Sequence, residues 1–136
     1  MAATAPQPFT GVFPIAPTPF TAGGEVDYDG QRRVLDCMVD QGVDGICILA
    51  NYSEQFLLTD AERDALTDLC LTHVADRVPV IVTVSHFSTG IAAARAREAA
   101  AAGARMLMLM PPYHGATLRA DEKGTLEHFA RVADAA

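Results

Sequence analysis

The sequence predicts an α/β fold made of four consecutive strand–helix units around a parallel sheet. Three observations carry that prediction. Short apolar runs alternate four times with stretches whose apolar residues recur at helical spacing, along 136 residues. The runs begin near Val12, Gly45, Pro79 and Arg105, at intervals of about 26 to 34 residues, the size of one βα unit in a barrel or a doubly wound sheet. Gly45-Ile-Cys-Ile-Leu49 is apolar throughout, as strands covered on both faces are, and such strands belong to parallel sheets.

Residues 1–10 read as a flexible N-terminal tail and residues 11–136 as one folded unit. Gly11-Val-Phe-Pro-Ile-Ala-Pro17 forms the first predicted strand, with its prolines near the end, where a missing N–H is tolerated. Asp27 or Asp29 caps a helix carrying Val34, Leu35, Met38 and Val39, and Gly42 ends it. Gly45–Leu49 is the second strand. Thr59-Asp-Ala-Glu62 has the spacing of a capping box and opens a helix with Leu66, Leu69, Cys70 and Val74 on one face. Pro79–Val84 is the third strand, and Ser88 caps an alanine-rich helix that Gly103 ends. Arg105–Met110 is the fourth strand, with Met106, Met108 and Met110 expected in the core. Asp121 caps a last helix with Leu126, Phe129 and Val132 inward.

Composition narrows the function. Half the residues are hydrophobic and 20% are charged, so the chain can build a core and is not a disordered segment. A net charge of −7 argues against nucleic acid and anionic membranes as partners, since both require basic surfaces. No run approaches the ~18 apolar residues of a membrane span, and Met1–Gln7 has no basic residue and so does not resemble a secretory signal. Cys37, Cys47 and Cys70 sit in apolar contexts without close pairing and read as buried free thiols of a cytoplasmic protein. His73 and His128 lie within helices and are expected at the surface or half-buried. No His or Cys spacing suits a metal and no glycine-rich phosphate loop is present, so neither a metal nor another cofactor is expected.

The loops after helices are short and plain. Those after strands are mostly long and chemically rich, and in barrels and open α/β sheets function sits at that end. After the first strand, Thr18 can hydrogen-bond at a pocket floor. After the second comes Ala50-Asn-Tyr-Ser-Glu-Gln-Phe56, where backbone N–H groups with Asn51 and Ser53 can bind a carboxylate and Glu54 adds an acid. A capped turn with Glu54 paired locally is the plainer alternative. After the third strand, His86 can move a proton or touch a substrate, or merely fill space beside the capping serine. After the fourth, Pro111-Pro112 stiffen the chain and aim Tyr113 and His114, a phenol and an imidazole able to relay protons, although a rigid turn would look the same. Lys123 is the only lysine and falls in the first turn of the last helix, a solvated place for an amine that would need desolvation to act as a nucleophile.

Four of these pieces together resemble the dihydrodipicolinate synthase / N-acetylneuraminate lyase family. They are Gly11-Val-Phe-Pro-Ile-Ala-Pro-Thr-Pro-Phe20, Gly45-Ile-Cys-Ile-Leu-Ala-Asn-Tyr-Ser-Glu54, Leu58-Thr-Asp-Ala-Glu-Arg63 and Met108-Leu-Met-Pro-Pro-Tyr-His114. The resemblance implies the first four βα units of a TIM (β/α)8 barrel, truncated near half of the ~250 residues such a barrel takes. It implies a homo-oligomeric lyase, a tetramer in the family, that acts on a small 2-oxo acid through a Schiff base on a sixth-strand lysine. That strand lies beyond these four units. The family's Gly-Thr-Thr-Gly is replaced here by Ala50-Asn-Tyr-Ser53, with Glu54 kept, and the second tyrosine of its Pro-Tyr-Tyr by His114.

The strings Ile48–Phe56 and Met110–Thr117 look most like the L-2-keto-3-deoxyarabonate dehydratase branch. That likeness implies dehydration of a 2-keto-3-deoxy sugar acid to 2-oxoglutarate semialdehyde. Thr18, Asn51, Tyr52, Ser53, Glu54 and His86 would bind substrate there, with Tyr113 and His114 assisting proton transfer. An aldolase or synthase of the same family is a second expectation. A non-catalytic half-barrel that pairs with a partner is a third, since an open barrel leaves strand edges exposed.

Overall fold

The structure, a computed structural model, describes residues 9–114, 118–119 and 121–136. Four helices, α1 (Tyr28–Asp40), α2 (Asp60–Val74), α3 (Thr89–Ala101) and α4 (Glu122–Ala133), follow strand segments in turn. Three strands, β1 (Ile46–Ile48), β2 (Val80–Thr83) and β3 (Met106–Met108), pair in parallel in the order β1-β2-β3. Ile46 lies opposite Val80 and Ile81 opposite Met106.

The first predicted strand contributes only a parallel bridge, Ile15 to Cys47. Ala16 N–H donates to the Cys47 carbonyl at 2.8 Å and Cys47 N–H to the Pro14 carbonyl at 2.9 Å. Pro14 and Pro17 have no N–H to extend that ladder. The segment still lies beside β1, so the four strand positions run side by side in sequence order.

The predicted caps hold the helices. Asp27 accepts from Gly30 N–H at 2.8 Å, and Asp121 from Gly124 N–H at 2.7 Å. Thr59 and Glu62 satisfy each other's backbone N–H groups, at 2.8 and 3.2 Å. Ser88 Oγ accepts from Ile91 N–H at 3.4 Å. Past α1, Gly42 takes a left-handed φ of 77° that a side chain would resist.

Strand alternation divides the sheet's two faces. Ile46, Ile48, Val80, Val82 and Val84 pack with Leu35, Leu66, Cys70, Val74, Ala92, Ala96 and Ala99 in one core between sheet and helices. Gly45 lets this layer close, because a Cβ there would overlap the Phe13 ring and lie 2.9 Å from the Pro79 carbonyl oxygen.

Several expectations are corrected. Met106 and Met108 are half-buried rather than core; Leu107 and Leu109 turn toward the helices, which leaves the methionines on the opposite face, and Met110 is half-buried with them. On α4 only Val132 of the predicted inward set is buried; Leu126 is 66% exposed and Phe129 lies at the surface. His128, one position from Phe129, turns inward instead at 1% exposure, with Nδ1 3.0 Å from Thr89 Oγ1. Cys37 is exposed on α1, although Cys47 and Cys70 are buried free thiols as expected. The long loop expected at 111–120 contains a two-residue antiparallel pair, β4 (Tyr113–His114) with β5 (Leu118–Arg119). Most of the expected N-terminal tail lies outside the described residues, and Phe9 meets Phe13 edge-on at 6.3 Å. No helix among the described residues is long and apolar enough to cross a membrane.

Candidate active site

The loops at the carboxyl ends of the strands meet at one end of the sheet. Leu49 leaves β1 with φ 57°, a left-handed conformation unusual for a branched residue. A single 3-10 turn, Asn51–Ser53, follows, and Glu54 is again left-handed at φ 57°. Two such residues around one short turn are costly, and strain of this kind gathers at functional sites.

The turn is anchored from below. Ser53 Oγ donates to the Ala16 carbonyl at 2.6 Å and accepts from Ala50 N–H at 3.2 Å. Thr18 Oγ1 donates to the Ser53 carbonyl at 2.8 Å. Thr18 and Ser53 are thus buried, with their hydroxyls spent on joining the first segment to the turn. Buried Gln55 donates to Asn51 Oδ1 at 2.9 Å and fixes that side chain at the rim. Asn51, Tyr52 and Glu54 remain exposed, Tyr52 at 80%. As the first residues of the 3-10 turn, Asn51 and Tyr52 have N–H groups with no acceptor inside it.

The end of β2 is held by two arginines that sequence reading did not single out. Arg63, 5% exposed, donates from Nη2 to the Thr83 carbonyl at 2.9 Å. Burial, with Arg95 nearby, lowers its pKa to about 10, so it stays charged at neutral pH. Arg95 donates to the Ser85 carbonyl at 3.1 Å and to Asp60 at 2.8 Å. Arg95 holds the exposed Asp60 carboxyl below the usual range. A pattern signal existed for both: Arg63 falls in helical step with Leu66 and Cys70, and Arg95 with Ala92 and Ala99, charges placed on buried faces. Ser85 was likewise missed; its Oγ accepts from Met110 N–H at 2.8 Å and joins the ends of β2 and β3.

His86 follows Ser85, half-buried, and Ser88 N–H donates to its Nδ1 at 2.9 Å. Burial, then Arg95, holds its pKa below the ordinary 6.5. Phe87 stacks on Phe56 at 6.1 Å, which brings the loops after β1 and β2 together. His86, Phe87, Phe56, Ser85, Met110 and Pro111 line a small hollow there. Tyr113 and His114 begin the short ladder just beyond Pro112, where their side chains lie outside the described residues. The structure therefore joins Thr18 to the Asn51–Glu54 turn, and the Phe56–Phe87 stack sets the loop bearing His86 beside the loop that follows that turn. Lys123 is exposed in the first turn of α4. No cluster of three or more potential metal ligands occurs among the described residues.

Four βα units with their polar loops gathered at the carboxyl ends of a parallel sheet are the opening units of a (βα)8 barrel. A model of the dihydrodipicolinate synthetase family matches residues 8–136, and the chain belongs to that family. It is 58% identical over 125 residues to an L-2-keto-3-deoxyarabonate dehydratase from Azospirillum brasilense, covering 92% of this chain and 40% of that protein. Against a 4-hydroxy-tetrahydrodipicolinate synthase from Acidothermus cellulolyticus the identity is 37% over 130 residues, 96% of this chain and 41% of the relative. Among solved structures, YagE, a prophage protein of the dihydrodipicolinic acid synthase family from E. coli K12 in complex with pyruvate, superposes with a TM-score of 0.88. It is 30% identical over 94% of this chain and 42% of its own. The chain thus spans about two-fifths of the length of these relatives.

Proposed function

We propose that these four units form the substrate-carboxylate side of a Schiff-base lyase that dehydrates a 2-keto-3-deoxy sugar acid, L-2-keto-3-deoxyarabonate giving 2-oxoglutarate semialdehyde. The observation that carries this reading is the anchored turn at the end of β1. Its exposed Asn51 and Tyr52 side chains and unpaired N–H groups form a ready receptor for a carboxylate. The 58% identity to a dehydratase supports the choice of substrate.

In this scheme Asn51 and Tyr52 touch the carboxylate, while Ser53 and Thr18 hold the turn from beneath. Glu54 stands at the rim, and His86 meets the substrate from the end of β2. Tyr113 and His114 assist proton transfer or orient the hydroxyls. The amine that condenses with the 2-oxo carbon comes from a lysine outside these four units, since Lys123 is exposed at the surface of the first turn of α4. Imine formation acidifies the proton on C3; its removal gives an enamine that expels the C4 hydroxyl, which takes up a proton and leaves as water, after which tautomerisation at C4 and C5 and hydrolysis of the imine release the semialdehyde and the free amine. The working protein is a homo-oligomer in the cytoplasm, where buried thiols such as Cys47 and Cys70 stay reduced.

Borohydride reduction of the protein purified from its native host tests this reading. With 2-keto-3-deoxy-L-arabonate present, a lysine outside residues 1–136 should gain the mass of the reduced adduct and the semialdehyde should accumulate without borohydride. Turnover of pyruvate plus an aldehyde instead would select a synthase or aldolase. No trapping, with an intact mass equal to that of the 136-residue chain, would select a non-catalytic pairing module.

A further inference from the structure

We propose that His86 is a specificity-determining residue held in one tautomer, whose Nε2–H donates to a hydroxyl oxygen on the chain of the substrate. The proposal deepens the dehydratase reading and rests on it.

The tautomer follows from one hydrogen bond. Ser88 N–H, at the start of α3, donates to His86 Nδ1 at 2.9 Å. A ring nitrogen that accepts has its lone pair in the plane and carries no proton, so the proton of the neutral ring sits on Nε2. That second nitrogen has no hydrogen-bond partner among the described residues, and the ring lines the hollow between the ends of β2 and β3.

The surroundings keep the ring neutral. Protonation at Nδ1 would oppose the Ser88 donor. Burial first, and then the charge of Arg95, disfavour a positive ring; the pull of Asp60 opposes them and is weaker than either, and Arg63 adds a smaller push of the same sign as Arg95. A base in proton transfer needs a free lone pair, and the ring's only lone pair is occupied by Ser88. What His86 can offer a ligand is a single N–H.

The hollow selects the kind of acceptor. Phe56, Phe87, Met110 and Pro111 supply apolar walls, with the two phenylalanine rings stacked within 2° of parallel. A carboxylate brought among them would need a cation. Arg95 is committed to Ser85 and Asp60, and Arg63 is buried, with Nη2 on the Thr83 carbonyl and an unpaired Nη1 that is sealed from the surface. An uncharged hydroxyl needs only the one donor. A site built to satisfy such a group discriminates against analogues that lack it, because its own donor is then left unpaired.

Two measurements on the protein as its host produces it decide the matter. Long-range 15N–1H correlation spectra of the histidine rings should show His86 at neutral pH with the proton on Nε2 and a bare Nδ1. Kinetics with 2-keto-3-deoxy-L-arabonate should then separate two variants. His86→Phe keeps the bulk without the donor and should raise KM about tenfold, the size of one neutral hydrogen bond, with kcat and the pH profile unchanged. His86→Gln places an amide N–H at similar reach and should restore most of the loss. Inhibition by pyruvate, which has a carboxylate but no chain hydroxyl, should be unchanged in both.

An Nδ1–H ring or an imidazolium at neutral pH would overturn the proposal. So would a collapse of kcat with loss of one limb of the pH profile, which marks an acid or base, or weakened pyruvate inhibition, which marks a carboxylate contact. Unchanged KM in His86→Phe would place the ring out of reach of substrate. A wild-type protein that traps no 2-keto-3-deoxy sugar acid but does trap pyruvate removes the dehydratase reading and this contact together, whatever tautomer the spectra show.

Discussion

Ser53 Oγ lies 2.6 Å from the carbonyl oxygen of Ala16, a bond that fastens the turn after β1 to the segment crossing beside it. The same oxygen accepts from Ala50 N–H, so Ser53→Ala would leave a buried donor and a buried acceptor unpaired. The expected cost is about 1–3 kcal/mol, seen as a lower urea midpoint with an unchanged slope. Tyr52→Ala, at the exposed rim, should change the stability by less than about 0.5 kcal/mol. Equal losses in the two variants would contradict the assigned roles.

Gly45 is required by space. Gly45→Ala would press a methyl group into the Phe13 ring and toward the Pro79 carbonyl oxygen, which is backbone and cannot swing aside. Overpacking of this kind costs about 1–3 kcal/mol. The double variant Gly45→Ala, Phe13→Leu should recover part of it, since a smaller side chain vacates the overlapped volume; equilibrium denaturation of the two proteins checks this.

Acid should weaken the fold before the carboxylates titrate. His128 and His86 both have pKa values below 6.5, chiefly through burial. As pH falls below 6.5 the unfolded chain takes up protons that the folded chain refuses. The stability present above that value is therefore lost as pH falls through the folded-state pKa values. Asp36, held low by Arg77, and Asp60, held low by Arg95, add losses of the same sign at lower pH. Denaturation midpoints across a pH series should fall on acidification, less steeply in His128→Gln. A midpoint that rises would reverse the assignment.

Thiol reactivity should separate the three cysteines. Cys37 is exposed and should react with a disulfide reagent in the native state. Cys47 and Cys70 should react only after unfolding, because both are buried and burial pushes the Cys70 thiol up to about 12 and raises that of Cys47. Three fast equivalents would mean that the core opens freely.

The strand order and the caps were readable because their signals are local. Thr59 and Glu62 need only each other, and a short all-apolar run such as Ile46–Ile48, flanked by Gly45 and a polar loop, reads as a covered strand. The errors lay where a neighbour decides. Leu126, Phe129 and His128 sit close together on α4, and helical spacing admits more than one inward stripe. The choice depends on α3, whose Thr89 meets His128 and turns Leu126 outward. Cys37 shares a helix with buried Leu35, but its own direction faces solvent. In the site, the polar loops were legible from their position after strands. Arg63 and Arg95 showed only as charges in step with buried helix faces, and what they and Ser85 hold was hidden, since each acts on a backbone atom 10 to 25 residues away that no motif marks.

The bond from Met110 N–H to Ser85 Oγ makes neighbouring loops partners in inheritance. Each strand-end loop of a barrel is commonly pictured as a separate cassette that evolution exchanges at will. Here the loop bearing His86 and the one leading to Tyr113 share a fastening, and Arg95 extends it back to Asp60 at the head of α2. A lineage that altered one loop would disturb the others. New substrate preferences in this scaffold should therefore arise through coordinated sets of replacements, with Ser85 the position whose change releases one loop from the next.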